Sequence, residues 1–232
     1  MRVGVIYVAV VLMYGGLKDV VKCLNVKKKL MIIKKPLEKN MRIIAGRHRG
    51  RKINTPIGLE TRPSSLRVRE NLFNILTSLD NNFFHDKNIL DLFAGSGALG
   101  FEAISRGACS ALFVEIADLA LKAIKKNNVG LAGQKLTHIL RADAIKGELI
   151  SNYVQQNKLD KFDIIFADPP YNKNLGEIAF QQVLHYNLAK QNSIFILEES
   201  RKADISFPAQ FNVIKRRDYG HTSLYICILE IN

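Results

Sequence analysis

The chain has 232 residues, of which 47% are hydrophobic and 24% are charged, which is ordinary for a soluble globular protein of one domain, with or without an appendage. The net charge of +13 is concentrated at one end: residues 1–58 carry 14 Lys and Arg against 2 Asp and Glu, and residues 59–232 carry 20 against 19. This asymmetry fits a polyanionic partner or a solvated basic tail, and composition alone leaves both open. The three widely spaced cysteines and five scattered histidines form no C-x-x-C or H-x-x-x-H pair, so we expect neither a disulfide framework nor a metal site.

Residues 1–17, MRVGVIYVAVVLMYGGL, form an apolar run that is short for a membrane span. The run is similar to the first part of a signal peptide, but no A-x-A-like cleavage site follows it. We favour a third interpretation, in which translation begins at Met41, because the pattern becomes dense and orderly from that residue onward. We therefore treat residues 1–40 as an atypical extension, and we expect a cytoplasmic protein with no membrane partner.

Residues 41–60, called the basic arm below, alternate short apolar pairs with Arg, Lys, His and Gly. This pattern predicts a short β-hairpin or an extended segment with a basic face. The cations of the arm are Arg42, Arg47, Arg49, Arg51 and Lys52.

The next stretch, TRPSSLRVRENLFNILTSL, opens the main domain, residues 61–232, and has apolar residues at helical spacing. It predicts a helix capped by Thr61 or Ser64. The first turns of this helix hold three arginines, Arg62, Arg67 and Arg69. A helix dipole disfavours cations there, and an anionic ligand nearby would explain their placement.

From Asn88 onward, strand and helix patterns alternate. Strands are predicted over residues 88–94, 110–116, 136–142, 162–168 and 193–200, and helices over 98–107 and 118–131. Such alternation predicts βαβ units in a mostly parallel α/β sheet with helices on both faces. The last segment, FNVIKRRDYGHTSLYICILEIN, predicts two strands joined at about residues 219–221. We therefore expect the final strand to run antiparallel at or near one edge.

A glycine-rich turn follows the first of these strands. Gly95, Gly97 and Gly100 form G-x-G-x-x-G between a strand and a helix, a pattern that NAD enzymes also share. Asp91 lies within the strand, where a carboxylate favours a cationic ligand over a pyrophosphate, and Glu115 lies 20 residues after Gly95, where a carboxylate accepts hydrogen bonds from ribose hydroxyls. A positively charged nucleoside without phosphate is S-adenosylmethionine. The alternative for Asp91 is a helix cap or a salt-bridge partner.

A further acidic residue, Asp143, ends the third predicted strand at the edge where open α/β sheets bind ligands. It is a candidate acceptor for an adenine amino group, and the alternative is a cap for the helix predicted over residues 144–150. We also count Phe93, Ile116 and Ala144 among the cofactor contacts.

The stretch DIIFADPPY ends the fourth predicted strand and carries the catalytic candidates Asp168, Pro169, Pro170 and Tyr171. Two prolines remove two donors, so mainly acceptors remain: the Asp168 carboxylate and backbone carbonyls. Acceptors that grip both hydrogens of a base's exocyclic amine localise its lone pair, while Tyr171 stacks on the base. The alternative is an incidental Pro-Pro turn. A cytosine-C5 enzyme would need a nucleophilic Cys after Pro, and this stretch has none.

These motifs resemble those of class I S-adenosylmethionine-dependent methyltransferases that act on exocyclic amines. MRIIAGRHRGRKINTP and TRPSSLRVRENLFNIL narrow the resemblance to the bacterial 16S rRNA guanine-N2 methyltransferase family that modifies guanine 966, over about Met41 to Ile231. The resemblance implies a Rossmann-like fold with a seven-stranded, mostly parallel sheet, a C-terminal antiparallel hairpin and a small basic N-terminal β extension. It also implies S-adenosylmethionine as cofactor and small ribosomal subunits, assembled or partly assembled, as substrate. We expect a monomer.

The resemblance also implies roles for individual residues. The five cations of the arm would contact RNA phosphates and give a salt-dependent affinity, and Arg62, Arg67 and Arg69 would lie nearer the target nucleotide. For each of these cations, simple solvation remains the alternative. Because family members carry Tyr or Phe in the aromatic slot, we expect the Tyr171 hydroxyl to be dispensable.

Three other functions stay open at this point. Adenine-N6 methylation of DNA or RNA would use a similar set of acceptors. A non-catalytic ribosome-assembly factor would retain the fold and bind small subunits without methyl transfer. An NAD-dependent oxidoreductase is disfavoured, because the sequence shows no set of residues placed for hydride chemistry.

Overall fold

The fold is described here from a computed structural model, which describes residues 41–56, 63–131 (side chains from 66), 136–171 and 173–230. The expectations for residues 1–40, for the Thr61 or Ser64 cap and for Arg62 therefore lie outside the described residues. The elements are α1 Pro63–Leu79, β1 Asn88–Leu92, α2 Ala98–Ser105, β2 Ser110–Glu115, α3 Asp118–Leu131, β3 Thr137–Arg141, α4 Gly147–Gln156, β4 Phe162–Ala167, α5 Leu175–His185, β5 Ala189–Ser200, β6 Phe211–Tyr219 and β7 Thr222–Leu229.

The strands form one seven-stranded sheet in the order β3-β2-β1-β4-β5-β7-β6. The first five strands are parallel, and β7 runs antiparallel between β5 and β6. The predicted α/β class, the parallel sheet and the C-terminal hairpin are thus confirmed. The antiparallel strand β7 lies one position inside the edge, and β6 forms the edge itself.

Several element boundaries differ from the predicted ones. Strand β1 ends two residues early because Phe93 has a φ of 58°, which no strand residue adopts. Strand β5 begins at Ala189 rather than at residue 193, with a register shift opposite Phe162 and Ile164. Helix α4 begins at Gly147, three residues after the predicted start.

Helices cover both faces of the sheet, as the continuous burial of the strands requires. All five residues of β1 are buried. On one face, α1, α2 and α3 pack against alternate strand residues through side chains such as Phe73, Phe101 and Ile124. On the other face, α4 and α5 pack through Ile150 and Phe180. None of the described helices is long and apolar enough to cross a membrane.

The basic arm folds back on itself as a small antiparallel pair. The Ile43 N–H donates to the Arg51 carbonyl at 3.0 Å, the Ile53 N–H donates to the Met41 carbonyl at 2.7 Å, and Arg42 bridges Lys52. The predicted basic β extension is confirmed, although its ladder is only one bridge long. Because Met41, Ile43 and Ile53 join the core beneath α1 and α2, the described part of the arm is packed on the domain and is not a solvated tail.

Candidate cofactor and substrate site

The candidate site lies where the strand order reverses, at the carboxyl ends of β1 and β4. The chain proceeds from β1 to β2 and β3 on one side, and β4 lies on the other side of β1. Leu92, at the end of β1, pairs with Ala167, at the end of β4. The glycine-rich turn and the Asp168–Tyr171 segment therefore leave the sheet side by side, at the crevice where open α/β sheets bind ligands.

The glycine-rich turn is built from left-handed backbone conformations. Phe93, Gly95 and Gly97 have φ values of 58°, 56° and 76°. A Cβ atom at Gly97 would lie 2.7 Å from the Phe101 ring, so both conformation and packing require glycine there. A Cβ atom at Gly95 would meet nothing nearer than 3.9 Å. Gly95 thus meets a conformational requirement and borders open space in which a ligand can approach the backbone.

Asp91 is buried beneath this turn, with 2% of its surface exposed. Its Oδ2 accepts a hydrogen bond from the Gly100 N–H at 3.0 Å, so this oxygen caps the first turn of α2, as the alternative interpretation had it. The pKa of Asp91 is raised to about 8, chiefly by burial. The hydrogen bond from the Gly100 N–H opposes this rise, and the charge of Glu115 adds to it. A cation placed beside Asp91 would favour the ionised carboxylate, so the residue fits a positively charged ligand.

Glu115 ends β2 beside the same turn. Its Oε2 accepts from the Gly95 N–H at 2.8 Å, and its Oε1 accepts from the Ile116 and Ala117 N–H groups at 2.7 and 2.8 Å. These three bonds fix the carboxylate at the rim of the crevice. Ile116 leaves 59% of its surface exposed next to it. A fixed acceptor beside an exposed apolar side chain suits a ribose with its attached base.

Asp143 and Ala144 follow β3. The half-buried Asp143 accepts from the Ile145 N–H through Oδ1 at 3.2 Å, and its carbonyl accepts from the Lys146 N–H at 2.9 Å. It closes a turn ahead of α4 and does not cap that helix, whose N-cap is Lys146. Ala144 is buried.

The Asp168–Tyr171 segment follows β4, with Asp168 and Pro170 exposed, Pro169 buried and Tyr171 half-buried. No metal-binding group of three His, Cys, Asp or Glu side chains occurs in the described part of the chain. The segment therefore offers a carboxylate and an aromatic ring at the crevice, next to the glycine-rich turn.

The Tyr171 hydroxyl is held by the C-terminal strands. It donates to Glu198 Oε1 at 2.8 Å and lies 3.0 Å from Thr222 Oγ1. Burial raises the pKa of Tyr171 far above its ordinary value, and the nearby charge of Glu198 raises it further. Glu198 and Thr222 were not predicted as site residues from the sequence. The available signal was the carboxylate pair at the end of the apolar run in β5.

The predicted RNA-binding cations differ in how far they are exposed to solvent. The five cations of the arm and Arg67 are exposed. Arg69 is 6% exposed and donates through Nη2 to the Arg42 carbonyl at 2.6 Å. Its Nε and Nη1 have no hydrogen-bond partner among the described residues, and burial lowers its pKa. Arg69 supports the arm from beneath and does not present its charge on the surface, which differs from the position expected from the sequence.

Glu102 of α2 anchors the arm, and sequence reasoning did not identify it. The carboxylate is completely buried. It accepts from the Ile44 N–H at 2.7 Å, from the Ala45 N–H at 3.0 Å and from Arg106 Nε at 2.8 Å. The signal in the sequence was a single carboxylate within the apolar helix ALGFEAIS. Such a carboxylate needs partners because a buried charge is costly when it is unpaired.

Asn127 of α3 joins the arm to the glycine-rich turn. Its Oδ1 accepts from the Asn54 N–H at 2.7 Å, and its Nδ2 donates to the Asn54 and Ser96 carbonyls, both at 2.9 Å. The side chain is 2% exposed. The arm and the turn are therefore fixed by one buried amide.

Comparison with known proteins gives consistent matches. The family described as "Conserved hypothetical protein 95" matches residues 41–228. "Ribosomal RNA small subunit methyltransferase D" of Haemophilus influenzae is 33% identical over 183 residues, which cover 79% of this chain and 91% of the relative. The protein of the same name from Escherichia coli K12 is 33% identical over 185 residues, which cover 79% and 87%. These relatives align with most of the described chain.

Solved structures agree with the sequence matches. The structure of the proposed methyltransferase yhhF of Escherichia coli has a TM-score of 0.69 and 28% identity, and covers 83% of this chain and 99% of that one. The proposed methylase HI0767 of Haemophilus influenzae has a TM-score of 0.66 and 30% identity, with coverage of 83% and 99%. The expected Rossmann-like class I methyltransferase fold is thus confirmed.

Proposed function

Because this chain belongs to the family described as conserved hypothetical protein 95, we propose that it is an rRNA methyltransferase of the small ribosomal subunit. The relatives named ribosomal RNA small subunit methyltransferase D support the reaction and the substrate class. In its finer form, the proposal is transfer of a methyl group from S-adenosylmethionine to N2 of a guanine of the 966 type in 16S rRNA. The active unit would be a monomer in the cytoplasm, with residues 41–60 as RNA-binding arm and residues 61–232 as catalytic domain.

The residues around the glycine-rich turn fit S-adenosylmethionine, which supplies a methyl group on a positively charged sulfur. Glu115 would accept hydrogen bonds from the ribose hydroxyls, and the exposed Ile116 would pack against the adenine. Asp143 would accept from the adenine amino group. The buried carboxylate of Asp91 would favour the positive charge of the ligand. A nicotinamide dinucleotide fits less well, because Asp91, with a pKa of about 8, can ionise to meet a cation but offers a pyrophosphate no counter-charge.

The Asp168–Tyr171 segment would hold the base. The Asp168 carboxylate and the neighbouring backbone carbonyls would accept the two hydrogens of the guanine amino group, which localises the nitrogen lone pair. Tyr171 would stack on the base, with its ring held by Glu198 and Thr222. Catalysis would then consist chiefly of positioning and electrostatic stabilisation. The observation that carries this proposal is the pairing of Leu92 with Ala167, which brings the two segments to one crevice.

The test is methyl transfer from labelled S-adenosylmethionine to small subunits that lack the modification, with nucleoside mass spectrometry of the product. Asp168→Ala is expected to abolish transfer while S-adenosylmethionine still binds. The matched control is Asp160→Ala, an exposed carboxylate ahead of the amino end of β4, which should retain full activity. Retained activity in Asp168→Ala would refute the site. Methyladenine in the product would refute the guanine-N2 assignment, and binding of subunits without transfer would favour an assembly factor.

A further inference from the structure

We propose that the exposed edge strand β6 carries a second RNA-binding surface, formed by Lys215 and Arg217, that holds the phosphate backbone on the far side of the target nucleotide from the arm. The inference rests on the proposed function, because it takes an RNA as the ligand. These two cations are not among the RNA-binding residues predicted from the sequence. Four observations carry it: the distribution of charge, the face of the sheet, the pairing of the cations and the connection to Tyr171.

The charge of the main domain is concentrated at this edge. Residues 201–221 carry five Lys and Arg against two Asp, whereas the remainder of residues 59–232 carries 15 against 17. The described basic residues here are exposed, apart from the half-buried Lys215. A positive patch on an otherwise slightly acidic domain is the electrostatic footprint of a nucleic-acid ligand.

Lys215 and Arg217 lie on the same face of the sheet as the basic arm. In the β6–β7 ladder, Lys215 pairs with Ile226 and Arg217 pairs with Leu224. Ile226 and Leu224 belong to the same core as Met41, Ile43 and Ile53 of the arm. Because side chains alternate along a strand, both cations project to that side. With Leu79 of α1, these cations line an open groove of about 400 Å³.

The cations of the two faces differ in their partners. Arg216 projects to the opposite face, lies 5.1 Å from the centre of the Tyr225 ring and bonds Asp218 at 3.1 Å. Arg201 also pairs with Asp218, at 3.3 Å. No carboxylate lies within ion-pair distance of Lys215 or Arg217 among the described residues, and the Arg217 guanidinium donates to the Arg216 carbonyl at 3.1 Å. Arg201 and Arg216 therefore stabilise the hairpin, while Lys215 and Arg217 keep their charge for a ligand.

Strand β6 links these cations to the candidate base-binding segment. Tyr219 ends β6 and pairs with Thr222, whose hydroxyl lies 3.0 Å from the Tyr171 hydroxyl. Lys215 lies four residues before Tyr219, or ~13 Å along the strand. An RNA strand whose base enters the pocket at Tyr171 would thus find cations on both sides, on the arm and on β6. The charge and the position favour RNA over an acidic protein segment as the ligand.

The test compares three proteins: the native chain, Lys215→Gln with Arg217→Gln, and the control Lys158→Gln with Lys161→Gln. The control lysines are exposed and precede β4, at the opposite end of the strands. Affinity for small subunits that lack the modification is measured from 50 to 200 mM KCl without cofactor, so the result does not depend on which atom is methylated. Loss of two phosphate contacts should reduce the slope of log affinity against log salt by about 1.4–1.8, which corresponds to about 25- to 60-fold weaker binding at 0.1 M salt.

The outcomes separate this surface from the proposed function. The single variant Arg217→Gln should show about half of the slope change of the double variant. This variant keeps the proposal testable if the double variant does not fold. Native affinity and slope in both variants would overturn the proposal, and would leave the cations as protection of an edge strand against pairing with another chain. A native chain that does not bind the subunits would overturn the proposed function as well. A loss of affinity confined to the β6 variants, with methyl transfer to adenine, would support the surface and refute only the guanine assignment.

Discussion

Replacement of Glu102 by Gln tests how the basic arm is held on the methyltransferase domain. The completely buried carboxylate accepts from the Ile44 and Ala45 N–H groups and from Arg106 Nε. A glutamine has the same shape, but its NH2 group faces a donor and Arg106 loses its counter-charge. Hydrogen bonds to a charged group contribute about 1.5–3 kcal/mol each, and breaking a buried charge pair costs about 3–5 kcal/mol. We therefore expect Glu102→Gln to lower the free energy of unfolding by about 3 kcal/mol.

Thermal denaturation and hydrogen exchange measure this effect. For a chain of this size, a loss of 3 kcal/mol lowers Tm by about 6–12 °C. Because two anchors of the arm are weakened, amide exchange at residues 43–47 should accelerate and affinity for RNA should fall, while S-adenosylmethionine binding is retained. Glu148→Gln is the control, since this exposed carboxylate in the first turn of α4 should contribute less than about 1 kcal/mol. A Tm within 2 °C of the native value, which corresponds to less than about 1 kcal/mol, together with native exchange in the arm, would refute the reasoning.

Three further changes probe the glycine-rich turn and its supports. Because the pKa of Asp91 is about 8, the residue must release a proton to meet a cation. The affinity of the native chain for S-adenosylmethionine, measured by calorimetry, should therefore rise with pH up to about 8. The affinity of Asp91→Asn should depend less on pH. Gly97→Ala should lower the free energy of unfolding by at least about 1–2 kcal/mol for its backbone conformation alone, whereas the control Gly130→Ala, in helix α3 with open space around it, should raise that free energy. Asn127→Ala should weaken S-adenosylmethionine binding and RNA binding together, because the Asn127 amide holds both the turn and the arm. The expected loss is about tenfold in each affinity, or ~1.4 kcal/mol of binding free energy.

Each of these three predictions has a contradicting result. Equal pH dependence in the native chain and Asp91→Asn would assign the titration to the amino group of the ligand. Native stability of Gly97→Ala would show that the Phe101 ring moves aside and that the left-handed conformation is not required. A loss of only one of the two affinities in Asn127→Ala would show that the arm and the turn are independent.

The order of strands and helices could be predicted because each element carries its own local pattern. Apolar runs bounded by turn residues mark β1 to β5, and the Tyr219–His221 turn marks the hairpin. The positions of the glycine-rich turn and the Asp168–Tyr171 segment also follow from the sequence, since each lies directly after a strand that the topology of α/β folds brings to the same edge.

The contacts that hold the arm and the aromatic ring could not be predicted, because they join residues that are distant in the sequence. Glu102 contacts Ile44 across 58 positions, and Tyr171 contacts Thr222 across 51. Both contacts depend on which elements become neighbours, and β7 inserts between β5 and β6. Arg69 shows the same limit: its helical position was predicted, but its burial beneath the arm depends on where the arm packs.

Some residues of the candidate site also support the fold and others do not. This difference determines which variants are informative. Asp91 is buried and accepts from the Gly100 N–H in the first turn of α2, so its replacement should change stability in addition to any effect on binding. Asp168 is exposed at the end of β4, so Asp168→Ala should change the free energy of unfolding by less than about 1 kcal/mol. A variant that is inactive but as stable as the native chain therefore identifies chemistry at Asp168. The same phenotype at Asp91 would mean that its hydrogen bond to Gly100 contributes little to the fold.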